Sequence, residues 1–349
     1  MIKAHYAVHH LQFIEPGGTS RGVLRTKETW YLVLEHDGRK GIGECGLFRG
    51  LSFDDRPDYQ AKLDWLCANI NQDRQWLDQQ LTEFPSIRMG LEMAFTSLKA
   101  EDPMLLFPSA FTTGNEGIPI NGLIWMGSAQ EMKTRINEKL QTGFRCLKLK
   151  IGAIDFDTEL GLISALRQEF SANDLELRVD ANGAFGADIA LDRLQRLADF
   201  DLHSIEQPIK PGQWQEMARL CEKTPLPIAL DEELIGLLDG QEQMLETIRP
   251  HYIILKPSFL GGFRQSRQWI DWAAERSIGW WITSALESNV GLNAIAQFSQ
   301  MQQIDMPQGL GTGKLFSNNV DSPLQIADAK LWYQAEKAWN FQAIDVTFP

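Results

Sequence analysis

Two rhythms of apolar and polar positions divide the chain. In "TWYLVLEHDGRKGIGECG" (29–46), two strand-like runs flank Asp37-Gly38, a dipeptide that favours the tight turn of an antiparallel hairpin. Apolar residues then recur at helical spacing in "DYQAKLDWLCANINQ" (58–72) and "SIRMGLEMAFTSLKAE" (86–101). After the loop "FTTGNEG" (111–117) the pattern becomes short apolar run, polar tip, amphipathic stretch, repeated. The strand-like runs are "IPINGLIW" (118–125), "CLKLKI" (146–151), "ELRVDA" (176–181), "HSIEQP" (203–208), "PIALDE" (227–232), "YIILKP" (252–257) and "WWITSA" (280–285). Helical stretches such as "IALDRLQRLADF" (189–200) and "GFRQSRQWIDWAAERS" (262–277) lie between them, and "QGLGTG" (308–313) follows a further helix. Alternation of this kind predicts an α/β fold with a parallel sheet. Seven or eight units of about 25–30 residues suit a TIM-type barrel. A doubly wound sheet is the alternative, but no G-x-G-x-x-G follows the first strand to support it.

Charged residues interrupt these strands at one level. Lys148 and Lys150 are followed by Asp180, Glu206, Asp231 and Lys256, at intervals of 30, 26, 25 and 25 residues from Lys150 onward, each one βα unit. On a barrel, such residues ring the mouth where strands end and loops begin. Alternation along a strand points Lys148 and Lys150 the same way, into the mouth, with Leu147 and Leu149 facing the helices. Three carboxylates on neighbouring strands repel unless a cation compensates them, and a hard divalent ion such as Mg²⁺ suits one oxygen ligand per strand. Mn²⁺ accepts the same donors. Two neighbouring ammonium groups are expected to lower one another's pKa, which makes a lysine a usable base near neutral pH.

Composition narrows the partners. The net charge is −13, which argues against nucleic acid or an anionic membrane as partner, while a local positive pocket can still take an anionic small molecule. No apolar run of about 18 residues exists to span a membrane, and the N-terminus shows no signal-peptide pattern, so a soluble, cytoplasmic protein is expected. Cys45, Cys67, Cys146 and Cys221 are scattered, without C-x-x-C, and read as reduced thiols. The six histidines lack zinc-site spacing. "GLGTGKL" falls short of a phosphate loop, because only three residues separate Gly309 from Gly313 and Leu315 follows Lys314.

Taken as a set, "LKLKIG", "RVDANGAF", "SIEQPI", "ALDEEL", "ILKPSFLGG" and "TSALESNVG" resemble the enolase superfamily, in its muconate-lactonizing-enzyme-like group, over nearly the whole chain. The resemblance implies a modified (β/α)7β barrel over 116–315 and an α+β capping domain over 1–115, with a segment over 316–349 that packs back on the cap. It implies Asp180, Glu206 and Asp231 as Mg²⁺ ligands, with Asn182 and Glu232 supporting them. Lys150 would take a proton α to a carboxylate, Lys148 would tune Lys150 and bind that carboxylate, and Lys256 would face the other side of the substrate. A Lys base with Mg²⁺ stabilising an enediolate is the general pattern of that superfamily.

Members of the group share this first step and differ in the second. "GLGTGKLFSNNVDSPL" (309–324) and "SALESNVG" are similar to members that dehydrate 2-succinyl-6-hydroxy-2,4-cyclohexadiene-1-carboxylate to o-succinylbenzoate in menaquinone biosynthesis. The Asp-x-Asp clamp typical of dipeptide epimerases is missing: only Asp305 precedes the proline of "IDMPQGLGTG". Racemisation of N-succinylamino acids or epimerisation of dipeptides is the alternative, and a barrel that binds without catalysis is a further one. Candidate substrate contacts are Ser284, Asn289 and the backbone of Gly309 to Gly313, including Gly311. Arg21 and Arg49, in the glycine-rich stretches "EPGGTSRGVL" (15–24) and "GLFRGLSF" (46–53), are expected on lid loops.

Overall fold

The computed structural model describes residues 1–19, 22–125 and 127–344. The chain opens with an antiparallel sheet, β1 (Lys3–Thr19), β2 (Gly22–His36) and β3 (Arg39–Cys45), in that order. Asp37 and Gly38 join β2 to β3 with φ of 47° and 76°, the left-handed turn whose twist matches the strands, as the sequence predicts. Three helices follow: α1 (Tyr59–Asn69), α2 (Arg74–Gln80) and α3 (Pro85–Lys99). Pro85 starts α3, where its missing N–H costs nothing. Helix α3 lies so close to β3 that a Cβ on Gly41 or Gly43 would strike the backbone of Ala94 or Gly90. Leu32, Leu34, Leu63, Leu66 and Leu91 fill the space between sheet and helices.

The repeating part begins with β4 (Ile118–Pro119), β5 (Gly122–Ile124) and α4 (Ala129–Gln141). It continues with β6 (Cys146–Lys150), α5 (Phe156–Glu169), β7 (Glu176–Asp180), α6 (Ala187–Ala198), β8 (Ser204–Glu206) and α7 (Trp214–Lys223). Then come β9 (Ile228–Leu230), α8 (Gln241–Ile248), β10 (Tyr252–Leu255), α9 (Pro257–Leu260), α10 (Phe263–Glu275), β11 (Gly279–Ile282) and α11 (Asn289–Gln300). Strands β5 to β11 form one parallel sheet in sequence order. Gln308 and Gly309 span its two ends. Gln308 bridges Ile120 and Gly309 bridges Thr283, with Asn121 donating to the Gln308 carbonyl and Ser284 to the Gly309 carbonyl. The curled sheet is thereby joined around its circumference. Side-chain caps fix where helices start: Ser128 and Glu131 form a reciprocal capping box on α4, and Asp155 accepts from the Thr158 amide on α5. The apolar faces of these helices pack on the outward side chains of the strands, such as Leu147, Leu149, Leu177, Val179 and Ile205, in one large core.

Strands β12 (Leu324–Ala327) and β13 (Lys330–Tyr333) form an antiparallel pair, and β13 pairs in turn with β4. Nearer the barrel, Phe316 bridges to Phe13 of β1, and the Asn318 side chain bonds the backbone of His10 and Gln12. The segment after the barrel therefore reaches both the β1 sheet and β4, the short strand that leads into the barrel. A buried polar seam also joins the β2–β3 hairpin to the barrel. The Glu44 carboxylate accepts from Thr29 Oγ1, the Ser288 amide and hydroxyl, and the Gly291 amide. Among the described residues no helix is long and apolar enough to cross a membrane.

Candidate active site

Parallel register brings the charged strand ends together. Lys150 pairs with Asp180, and Asp180 with Glu206, across β6, β7 and β8. Asp231 follows β9 directly and Lys256 follows β10. The lysine side chains keep 12 to 14% of their surface exposed while the Asp180 and Glu206 side chains keep 1 to 2%, so acids lie beneath amines that reach open space.

The Asp180 Oδ2 accepts from Lys150 at 2.9 Å and Lys148 at 3.2 Å, and its Oδ1 from the Asn182 amide at 3.0 Å. Lys148 also donates to Glu206 Oε2 at 2.7 Å, and Lys256 pairs with Asp231 Oδ2. Asn182 accepts from Lys150 at 2.7 Å and donates to Glu232 at 2.9 Å. The turn that aims Asn182 requires left-handed backbone at Asn182 and Gly183, φ 45° and 72°, a conformation that Asn and Gly tolerate best. Gln207 performs a similar task for β9: its Oε1 accepts from the Asp231 and Glu233 amides, which fixes the backbone that carries Asp231.

Burial and the neighbouring acid Asp180 push Glu206 well above the usual carboxylate range. Burial acts the same way on Asp180, but Lys150 and Lys148 outweigh it and hold this acid below its ordinary value. The expectation that the lysine pair lowers its own pKa is overturned for Lys148. Burial does pull its ammonium down, but the Glu206 and Asp180 carboxylates prevail and raise it. The same balance, led by Asp231 against burial, raises Lys256.

The donor set suits a hard divalent cation: three carboxylates on neighbouring strands, all oxygen. Glu206 Oε1 is buried and without a hydrogen-bond partner among the described residues, an acceptor with capacity to spare. As placed, the acids turn to the lysines, and no group of three or more is drawn into a ready-made cage among the described residues.

All of this opens into a cavity of about 390 Å³, whose wall includes Lys148, Lys150, Asp180, Asn182, Glu206, Glu232 and Lys256. Ser284, Gly309 and Gly311 also line it. The Ser284 hydroxyl donates to Glu287 at 2.7 Å and accepts from Thr312, so its proton is already committed. Asn289 is not brought there. Its amide group donates to the Val320 carbonyl and its backbone N–H to Asn319, because it opens α11 against the chain's last segment. Arg49 is likewise turned away, onto Glu28 and Asp55. Arg21 lies outside the described residues. From the same "GLFRGLSF" stretch it is Phe48 and Leu51 that face the cavity, joined by Phe259 and Trp125. Their apolar character was visible in the sequence, but their direction was not.

Residues 131–333 match the family model described as enolase C-terminal domain-like. The chain belongs to the enolase superfamily. It is 50% identical to an o-succinylbenzoate synthase from Desulfotalea psychrophila (strain LSv54 / DSM 12343), over 93% of this chain and 97% of that protein. The crystal structure of MenC from Desulfotalea psychrophila LSv54 superposes with a TM-score of 0.85 at 44% identity, covering 95% of this chain and 99% of that one. An N-succinylamino acid racemase from Amycolatopsis sp. is 22% identical over 92% of this chain and 89% of its own length. Enolase-superfamily enzymes use a divalent metal.

Proposed function

We propose that the chain acts as an o-succinylbenzoate synthase, a hydro-lyase that removes water from 2-succinyl-6-hydroxy-2,4-cyclohexadiene-1-carboxylate in menaquinone biosynthesis. The observation that carries the reading is the convergence of Lys148, Lys150 and Lys256 on the buried carboxylates Asp180, Glu206 and Asp231, with the three lysines, Asp180 and Glu206 lining one cavity, in a chain with 50% identity to a synthase over nearly its full length. A cavity of about 390 Å³ is in the range that encloses small ligands.

Asp180, Glu206 and Asp231 would hold Mg²⁺, or Mn²⁺ in its place. The ion, when bound, supplies positive charge beside the substrate's ring carboxylate and makes the proton on the adjoining carbon more acidic. Lys150, as the neutral amine, removes that proton. Asn182 supports this step by accepting a hydrogen bond from Lys150, which aims the nitrogen. Lys148, whose Nζ lies 2.7 Å from Glu206 Oε2, presents an ammonium to the same carboxylate. Lys150 then returns its proton to the departing 6-hydroxyl on the same face, so water leaves and the lysine is restored as the amine. Lys256 stands on the other side of the acids, where its charge stabilises the electron-rich ring through a cation–π contact. Phe48, Leu51 and Phe259 exclude bulk water and strengthen each of these charges.

A second reaction uses the same groups. Lys256, four strands on from Lys150 in the same sheet, would supply a second proton donor, as racemisation of an N-succinylamino acid requires. Residues 1–115 act as the cap and 116–315 as the catalytic barrel, in a cytoplasmic enzyme whose partner is its small-molecule carboxylate substrate; the contacts of Phe316 and Asn318 with β1 support a tail that completes the cap. The test is ultraviolet absorbance during incubation of the cyclohexadiene carboxylate with enzyme and Mg²⁺, beside a Lys150→Ala control. Aromatisation should be rapid and should fall by about 10²–10⁴-fold in the variant. A variant with normal turnover would overturn Lys150 as the base.

A further inference from the structure

The cavity has a second positive region that the reaction steps leave unused. Lys139, in the last turn of α4, and Lys314, after the Gly309–Gly313 loop, both line it away from the strand-end ring. Lys139 is half-buried, with its Nζ 5.1 Å from the centre of the Phe144 ring. Neither lysine has a carboxylate within ion-pair distance among the described residues, whereas Lys148, Lys150 and Lys256 are all paired with acids. Burial lowers the Lys139 pKa; Glu138 works against this, and the ammonium of Lys314 adds to it, so the two lysines feel one another's charge. The other charged groups on this wall are differently engaged. Arg135 donates to the Trp125 carbonyl at 3.2 Å, and Glu15 and Glu138 are exposed acids at the rim. Like charges that share a partly enclosed wall cost free energy that a bound anion offsets.

We infer that Lys139 and Lys314 form a second anion subsite, which takes the terminal carboxylate of the substrate's succinyl arm. The inference rests on the proposed reaction, whose substrate carries two carboxylates. The ring carboxylate is taken at the strand-end ring, which leaves the arm's carboxylate without a partner there. Two flexible ammonium groups suit it, because a lysine acts as a point charge and imposes little geometry on a mobile arm. Both lysines position the substrate and take no part in proton transfer.

Lys139→Gln and Lys314→Gln, each saturated with Mg²⁺, test this by steady-state kinetics on the cyclohexadiene dicarboxylate. Binding of o-succinylbenzoate is measured in parallel with 2-butanoylbenzoate, which keeps the ring carboxylate and arm length but lacks the terminal carboxylate. Each variant should raise KM about tenfold or more, the loss expected for one charge-assisted hydrogen bond, with kcat within about twofold of the parent. The parent's preference for o-succinylbenzoate over 2-butanoylbenzoate should shrink by the same factor. Variants that keep the parental KM and preference, in an enzyme that aromatises the diene, overturn the subsite alone. A parent enzyme inert toward the diene overturns the reaction and the subsite with it. Lys314 is exposed, so its variant keeps the test decisive even if Lys139→Gln impairs folding.

Discussion

Two clusters of buried charge sit near one another in this molecule, at the strand-end ring and in the seam where the β2–β3 hairpin meets the barrel. In the seam, both oxygens of Glu44 are satisfied by neutral donors from Thr29, Ser288 and Gly291. Glu287 is held in the same way by Ser258, Ser284 and the Ala285 amide. Lys27 lies among them, buried, and burial draws its pKa down against the pull of Glu44 and Glu287. The strand-end ring differs. Its acids are compensated by lysines on flexible stems that reach the cavity, and Glu206 retains an oxygen without a partner. A carboxylate fixed by backbone and hydroxyl donors has no capacity left for a ligand. One compensated by mobile amines keeps that capacity, since the amines can exchange the acid for a substrate. Burial of charge does not itself distinguish the two clusters; the kind of partner does.

Exchange of charge for a neutral amide separates the two clusters most clearly. Glu206→Gln should lower kcat/KM by at least about 100-fold, since losing a metal ligand should cost no less than losing a group that merely supports one. The melting temperature should change little, because relief of the repulsion from Asp180 is offset by the loss of a charged partner for Lys148. Glu44→Gln should do the reverse. Its amide nitrogen would face donors, so unfolding free energy should drop by about 2–3 kcal/mol, while activity per folded molecule stays near parental. Denaturant unfolding and initial rates on both variants decide it. Equal losses of activity and stability in the two would erase the distinction.

Asp54 provides a third case: a buried acid that accepts from the Ser86 amide and hydroxyl and has no cation partner among the described residues. Burial raises its pKa to about 6 from 3.8, against those hydrogen bonds. The raised value means that the folded state binds the proton first as pH falls. Its contribution to stability is therefore most favourable below about pH 4 and is lost as pH rises through 6. The loss is at most about 3 kcal/mol, from the two pKa values. Asp54→Asn is neutral throughout. It should be more stable than the parent at pH 7, and that advantage should fade toward pH 4 in melts across the range. An advantage independent of pH would assign the effect to packing.

Much of the site is legible in the sequence. The Asp37-Gly38 hairpin, the βα rhythm and the single level of Lys148, Lys150, Asp180, Glu206, Asp231 and Lys256 follow from local rules, because a strand's period and a turn's backbone are set by neighbouring residues. The muconate-lactonizing-enzyme-like motifs added the reaction class, since metal and base chemistry need those residue types at strand ends. Side-chain direction in loops was not legible. Phe48 faces the cavity while its neighbour Arg49 turns to Glu28 and Asp55, and Asn289 faces Val320 instead of the substrate. Nor was the sign of the shift at Lys148, which depends on acids 32 and 58 residues away.

The chain by itself thus determined the elements, their order and the chemistry brought to the strand ends, all consequences of short-range periodicity. Tertiary structure alone decided three further things: closure of the sheet through Gln308 and Gly309, the seam of Glu44 with Ser288, and the placing of Lys139 and Lys314 on one cavity. Each joins segments far apart in sequence, and the field that a charge feels is set by its neighbours in space.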